Sequence, residues 1–579
     1  MLPFRFSPCW LAALGLLPAL GWASPPATAN DLPALQPGNI DTNLHEANSA
    51  ASEAVRLLDA QRSQAVEQQN EQRLRQLERQ PEPPDASSAP ASVDDSQCWP
   101  VAGLALTGNT LLGSRVLDTL AAPLLSACMS ADDVNRLLAA ITGAYVKAGY
   151  ITARPYLQQM PEDGGSIEIQ LIEGFVESIE MTDASLPVSL AGAFPGMIGK
   201  PLYLPDLEQG LDQLNRLSSN DLTVDIVAGS RTGGSRLVIK PRRGGPRWRI
   251  ASRLNNSGSD TSGRHTGLLN LNIDSPLHIN DLLALTYVRT LDGSPGFSQQ
   301  TSALYQVPYG HWTLDASTSD IKTHSIIGPR RFVYTQQIQS HGLKVDRSLW
   351  RNQFMLLNAS LRLDHKRSAS TFQKRPLKVT AGNLTVAETG LSLTYLGRSQ
   401  WNGYLGYAQG LSRLGADERG DANGAPQPRF EKYVASVGQT TWFSLPGMSL
   451  QWRSELQLQH SPDPLPDLEQ LRLAGANSVR GYRLDGQSVS SGAVLRNTWQ
   501  MPQRLTSQLT LTPSLALDAG WGRHSYGPRQ TQHAVGASLG ASLGWRSGQL
   551  KMDYQRGLKR RANTGLEPGV WSLELSQFF

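Results

Sequence analysis

The sequence predicts a transmembrane β-barrel preceded by a helix and two small α/β units. Three observations predict it. The chain opens on an export leader. After that leader it has no apolar run approaching the roughly 18 residues of a membrane-spanning helix, so an exported chain of this kind is periplasmic, secreted or a barrel. From residue 244 to residue 579 it consists of short alternating segments, ending in a strand that stops on Phe579.

The leader is "MLPFRFSPCWLAALGLLPALGWASPPATAN", with one basic residue (Arg5) and an apolar run from Trp10 to Leu20. Gly21-Trp-Ala23 and Ala27-Thr-Ala29 both have signal-peptidase spacing, and residues 1–29 are assigned as signal peptide. The apolar run is shorter than the roughly 20 residues of a retained anchor. The composition agrees with a folded, exported chain. Only 18% of the 579 residues are charged, 40% are hydrophobic and the net charge is +4. Neither disorder nor nucleic-acid binding follows from that balance. The basic clusters Lys240-Pro-Arg-Arg and Lys559-Arg-Arg read as solvated turns near a membrane.

Of three cysteines, Cys9 leaves with the leader. Cys98 and Cys128 remain as an even pair in an oxidising compartment, and are expected to bridge. A loop of that length gives about 3–4 kcal/mol of chain-entropy stabilisation. Two thiols without a histidine pair make a poor zinc site, so no metal is assigned.

Residues 30–80 form the helical N-terminal region. From residue 43 on they are free of Gly and Pro and rich in Ala, Leu, Glu, Gln and Arg, all strong helix formers. The apolar face, Val55, Leu58 and Ala65, is thin. Such a helix belongs in water or in a hydrated cavity. Residues 81–97, "PEPPDASSAPASVDDSQ", are an extended linker. Residues 98–175 alternate as strand, helix, helix, strand, strand, with Ser130-Ala-Asp-Asp133 capping the second helix. Residues 176–243 repeat that architecture through "VESIEM", "LPDLEQGLDQLNRL", "LTVDIVAG" and "SRLVIKP".

The 244–579 region alternates apolar residues with Asn, Ser, Arg, Gln or Asp in segments such as "GLLNLNI", "LLNASLRL" and "LQWRSELQL". Its length and the charge on its polar face suit a barrel with a wet lumen better than a soluble sandwich. "GASLGASLG" contains Gly-x-Ser-x-Gly around Ser538 and Ser542. A hydrolase elbow needs a strand-turn-helix setting and a later His, and no His follows Ser538. The stretch reads as a barrel strand with a small-residue face. No HExxH or phosphate loop is present, and no catalytic residue or cofactor is assigned.

"ANSVRGYRLDG" places Arg480 in a long loop. On the residues alone it is either a surface turn or a buried loop whose charge needs a partner.

Three groups of motifs, in order along nearly the whole mature chain, resemble the TpsB transporters of two-partner secretion, the haemolysin secretion/activation family. The first POTRA domain is matched by Cys98, "GLALTGNTLL", Cys128 and "GYITARPYLQQ…IEIQLIEGFVESI"; the second by "LYLPDLEQGLDQLNRLSS" and "GGSRLVIKP". The barrel is matched by "NNSGSDTSGRHTG", "VPYGHW" and "VRGY". The resemblance implies sixteen strands, an N-terminal helix plugging the lumen, and two periplasmic POTRA domains. It also implies that Val479, Arg480, Gly481 and Tyr482 lie at the tip of an extracellular loop folded into the barrel. There Arg480 would pair with Asp518 of "LALDAG", with Gly520 behind it.

The function so implied is an outer-membrane pore. Its POTRA domains would capture an unfolded exoprotein (an adhesin, haemolysin or contact-dependent inhibition toxin) and the barrel would pass it without ATP. Outer-membrane lipid and, during biogenesis, the barrel-assembly machinery would be its other partners. The competing readings are a barrel-assembly factor, a passive porin and an outer-membrane hydrolase. Assembly factors usually carry more POTRA units and lack a plug helix, and a porin needs neither.

Overall fold

The computed structural model describes residues 37–78, 98–159, 165–293, 295–377, 382–417, 427–475, 477–482, 487–525, 531–560 and 566–579. The leader and the 81–97 linker lie outside them. Of the two units into which the chain divides, residues 1–42 and 43–579, the first is described only from Pro37 to Thr42.

Helix α1 spans Pro37–Glu78, so it begins ahead of the Gly- and Pro-free run that marks it in the sequence. The first α/β unit follows as β1 (Cys98–Thr107), α2 (Ser114–Ala121), β2 (Cys128–Ser130), α3 (Ala131–Lys147), β3 (Arg154–Gln159) and β4 (Gly165–Ile172). The sheet order is β2-β1-β4-β3, with β1 parallel to β4. Strand β2 is an addition to the order read from the sequence, in which three residues carry no periodicity. It pairs the start of β1, and the Cys98–Cys128 disulfide ties the two strands with their Cα atoms 5.4 Å apart. Ser130 and Asp133 form a capping box on α3, which seats Val134, Leu137, Ile141 and Tyr145 on Ile167 and Ile169 of β4.

At the end of this unit Glu173 accepts from the N–H groups of Thr110 and Leu111, each at 2.7 Å, from the Thr110 hydroxyl, and from Tyr145 Oη at 2.9 Å. Burial alone would push its carboxyl up, and those donors outweigh it and hold the pKa below the usual value. Burial, and then the same contact, push the Tyr145 phenol up.

The second unit runs β5 (Phe175–Met181), α4 (Leu190–Ala193), α5 (Leu204–Asn215), β6 (Asn220–Ala228) and β7 (Gly234–Gly244), in the order β5-β7-β6. Leu207 and Leu214 of α5 pack on Leu222, Leu237 and Ile239 of its sheet.

Strand β7 leads straight into the barrel. Among the described residues sixteen long antiparallel strands form a closed ladder, from Trp248–Asn255 to Val570–Phe578, and those two strands pair to close it. Two-residue ladder pieces at Arg375–Pro376 and Gln503–Arg504 extend two hairpins. The period-2 pattern sorts the faces. Along Thr510–Arg523, Leu515, Leu517 and Trp521 are 52%, 47% and 60% exposed on the outside, while Ala516 and Asp518 are 2% and 1% exposed on the inside. Leu343, Leu361, Leu391, Leu405, Leu539 and Leu573 continue the outer apolar band on other strands. An outer surface of that kind requires an apolar solvent.

The second α/β unit is fixed to one end of the barrel through the tight turn of "VPYGHW". The Gly310 carbonyl accepts from Gln213 Nε2 at 3.0 Å and Gln209 Nε2 at 3.4 Å, and its N–H donates to the Gly192 carbonyl at 2.8 Å. Gly310 has φ +55°, and a side chain there would run into Pro195. Arg216 donates to Gln306 and to the Asn280 carbonyl, and Arg351 ion-pairs with both Asp212 and Glu208. Burial pushes the Glu208 carboxyl up against the pull of Arg351.

Candidate functional site

Between the strands Met448–His460 and Ser491–Gln500, the described residues 461–475, 477–482 and 487–490 fold into the lumen. Its base is a short ladder, Leu471–Arg472 against Ser488–Val489, and a bridge between Ala474 and Val479 follows. Leu473, Ala474, Val479, Tyr482 and Val489 form a buried cluster with Val494 and Ala534 of the wall. The loop thus carries its own apolar patch, which places Arg480 against the strand Thr510–Arg523.

There Arg480 Nε donates to Asp518 Oδ2 at 2.6 Å and Nη2 donates to Oδ1 at 2.7 Å, a two-point fork. The Arg480 main-chain N–H adds a third bond to Oδ2 at 3.1 Å. Nη2 also reaches Thr498 Oγ1 at 3.0 Å. The Asp518 side chain is 0% exposed and that of Arg480 10%, so each charge depends on the other. Gly481 sits at φ +88°, where a side chain would strike the main chain of Arg556 and Gly557. Tyr482 Oη bonds the carbonyls of Val535 at 2.8 Å and Lys559 at 2.7 Å.

Small wall residues make the slot. A Cβ on Gly520 would come within 3.1 Å of Val479 Cγ2 and 3.2 Å of the Leu473 carbonyl. A Cβ on Gly536 would overlap the Arg480 carbonyl, and one on Gly557 would meet the Tyr482 ring at 2.7 Å. Ser538 and Ser542 lie mid-strand in Thr531–Trp545, far from any strand-turn-helix geometry.

The same loop touches helix α1. Its Glu469 is held between Lys366, which contacts Oε1, and Lys432, whose Nζ lies 2.6 Å from Oε2. Arg62 of the helix approaches the same carboxylate at 3.7 Å and donates to the Leu468 carbonyl at 3.2 Å. Arg472 of the loop faces Asp59 of the helix at 3.8 Å. Further contacts follow from Arg56 to Arg73: Arg56 donates to the Ser257 carbonyl at 2.7 Å, Gln300 Nε2 donates to Gln61 Oε1 at 2.9 Å, Arg453 pairs with Glu67 at 3.0 Å and Arg73 with Asp346 at 3.3 Å.

The apolar seat of the helix is small. Ala54, Val55, Leu57 and Leu58 pack on Ile321, Ile338 and Leu384 of the wall and on Leu468 of the loop. Val55 and Leu58 are buried there, whereas Ala65 is exposed together with Val66, Glu67 and Gln68. The expected face therefore ends after Leu58. Two turns further on the helix has left the apolar seat, and the wall it runs beside is polar.

No local pattern in the sequence marks Glu469, Lys366, Lys432, Thr498 or the pairing of Gly536 and Gly557 with the loop. Lys366 and Glu469 are 103 positions apart, and lone charges on alternating strands look alike until the register is known. The small-residue face of "GASLGASLG" is legible in the sequence, and its partner is not.

Comparison with known proteins places this geometry. The family described as haemolysin secretion/activation protein ShlB/FhaC/HecB matches residues 233–543, a ShlB-type POTRA domain matches residues 99–174, and a second POTRA domain matches residues 175–228. The haemolysin transporter protein ShlB of Serratia marcescens is 32% identical over 525 residues, covering 89% of this chain and 91% of that protein. The outer membrane transporter CdiB of Escherichia coli O6:K15:H31 is 30% identical over 538 residues, 88% of each chain. The solved structure of CdiB from Escherichia coli superposes with a TM-score of 0.83 at 26% identity, covering 91% of this chain and 99% of that one. With the barrel, both POTRA units and the lumen helix in place, the chain belongs to the haemolysin secretion/activation protein family ShlB/FhaC/HecB.

Proposed function

We propose that this chain exports one large, unfolded exoprotein of the haemolysin or contact-dependent inhibition toxin class, and that the lumen loop and helix α1 are its closed-state stopper. The chain is an outer-membrane transporter of two-partner secretion, with its POTRA domains in the periplasm. The observation that carries the gating part is the helix itself. It lies inside a closed barrel, yet among its described side chains apolar contact with the wall is confined to the two to three turns Ala50–Leu58, and Ala65 to Gln68 and Glu71 are exposed. A stopper must bind weakly enough to leave.

The steps follow from general chemistry. Edge strands β3 and β6 offer unpaired main-chain groups that an extended segment would add to, with little demand on its sequence. The chain then passes the lumen as the helix withdraws, and folding outside makes the net movement directional without ATP. The Arg480–Asp518 fork keeps the loop on the wall while the helix moves. Lipid surrounds the outer apolar band, and the barrel-assembly machinery inserts it. The mid-strand setting of Ser538 and Ser542 supports a role without enzymatic activity.

The test is the proteome of culture supernatant, cell surface and outer membrane, with and without this protein. Loss of one very large exported protein with other barrels unchanged is the expected result. A general fall in outer-membrane barrels would overturn the proposal in favour of barrel assembly.

A further inference from the structure

We infer that the wall patch beneath helix α1 is a binding site for the exported polypeptide, complementary to an extended segment with spaced aliphatic side chains. The inference rests on the export reading above. The helix and its seat do not match.

Ile321 and Ile338 are directly paired across neighbouring strands, both 0% exposed, and Leu384 lies two strands further round. The helix covers these three with Val55, Leu57 and Leu58. Around them the wall is polar. Thr323 Oγ1, Ser325 Oγ, Gln336 Oε1 and Ser370 Oγ are buried and have no hydrogen-bond partner among the described residues. They are contiguous, since Gln336 pairs with Thr323 on one side and with Ser370 on the other, one step along from the isoleucine pair.

A helix suits the apolar half of this patch and fails the polar half. Its main-chain groups are consumed by its own i→i−4 bonds, so it has none to offer a wall hydroxyl. An extended chain is the reverse. It presents a free N–H and C=O at every residue and projects every second side chain to one side. Aliphatic side chains at that spacing would fill the Ile321–Ile338–Leu384 seat, while the main chain would reach the hydroxyls and amide that the helix leaves unpaired. Unpaired buried polar groups are costly, so their satisfaction favours the extended occupant over the helix.

The consequence is competitive exchange. When the helix leaves, three aliphatic side chains face a wet lumen unless something replaces it. A passing chain with suitable side chains replaces it, so arrival of cargo and departure of the helix favour one another.

The experiment uses the purified full chain in liposomes and two synthetic 20-residue peptides. One alternates Leu with Ser and Asn. The other has Gly in place of every Leu. A photo-crosslinking amino acid replaces either Ser319, which lies two residues before Ile321 on the same wall face, or Ser436, a wall position outside the seat. Compact, heat-modifiable migration confirms that each variant is folded. The expected result is at least fivefold more crosslinking of the Leu peptide than the Gly peptide at position 319, and equal crosslinking at 436. Ile321→Ser should abolish that preference at 319 and leave 436 unchanged. Equal crosslinking of the two peptides at 319, with both detected at 436, overturns the seat and leaves the pore standing. Absence of either peptide at both positions overturns the pore, and the seat with it.

Discussion

Arg480 closes on Asp518 with its main chain as well as its side chain: one N–H and two guanidinium nitrogens reach the two carboxylate oxygens. Removing either partner strands the other charge in a site that is nearly closed to solvent. The cost of such a loss is about 3–5 kcal/mol. Arg480→Ala and Asp518→Ala are each expected to release the loop, read as new sensitivity of the loop to protease added outside the cell and as a secretion defect. The double variant should be no worse than either single one. Additive defects would sink the pairing.

Gly536→Ala tests the slot without touching either charge. The new methyl would occupy the position of the Arg480 carbonyl, which is main chain and cannot rotate away. Overpacking of this kind costs about 1–3 kcal/mol. The loop should be displaced as in Arg480→Ala. Gly544→Ala lies on the same strand with its nearest neighbour, the Thr510 carbonyl, at 3.8 Å, and should leave protease sensitivity unchanged.

Glu469 serves two ammonium groups at once. Glu469→Ala leaves Lys366 and Lys432 buried and facing one another, with side chains only 3% and 8% exposed. Lys432→Met leaves a carboxylate still paired with Lys366. The glutamate substitution should therefore raise resting ion conductance in planar bilayers several-fold more than the lysine substitution. The reverse order would show that the carboxylate is not the hub.

Glu173 gives the first POTRA unit a pH dependence. Its pKa is depressed in the folded state from a reference of 4.5. Such a group adds stability that is fully present above the unfolded pKa and is lost as pH falls through the folded one. Denaturant melts of the protein in micelles, followed by the exposure of Tyr145, should thus show this unit weakening below about pH 4.5. Glu173→Gln should flatten that slope. An unchanged slope would place the acid sensitivity elsewhere.

Much of this architecture is legible in the sequence because it depends on short-range pattern. The two-residue period of "LTLTPSLALDAG" sets which residues face outward, and the capping box at Ser130 and Asp133 marks the start of its helix. Val55 and Leu58 are legible as a thin apolar stripe, but Ala65 does not extend it, because sequence spacing carries no information on where a cavity wall turns polar. The ionic cluster at Glu469 was invisible for a related reason. Its members come from two wall strands, a loop and the helix, and only barrel closure and strand register bring them together. The unpaired hydroxyls of Thr323, Ser325 and Ser370 look in sequence like any other serine or threonine on the inner face of a strand.

The turn at Gly310 makes the second POTRA unit part of the floor of the barrel, with Gln209 and Gln213 both bound to one carbonyl. A polypeptide held by that unit is already at the entrance. Its transfer inward is then a first-order, intramolecular event whose effective concentration is set by geometry and not by how much receptor the cell makes. Halving the number of transporters should halve the flux of exported chains and leave the transit time of each chain unchanged.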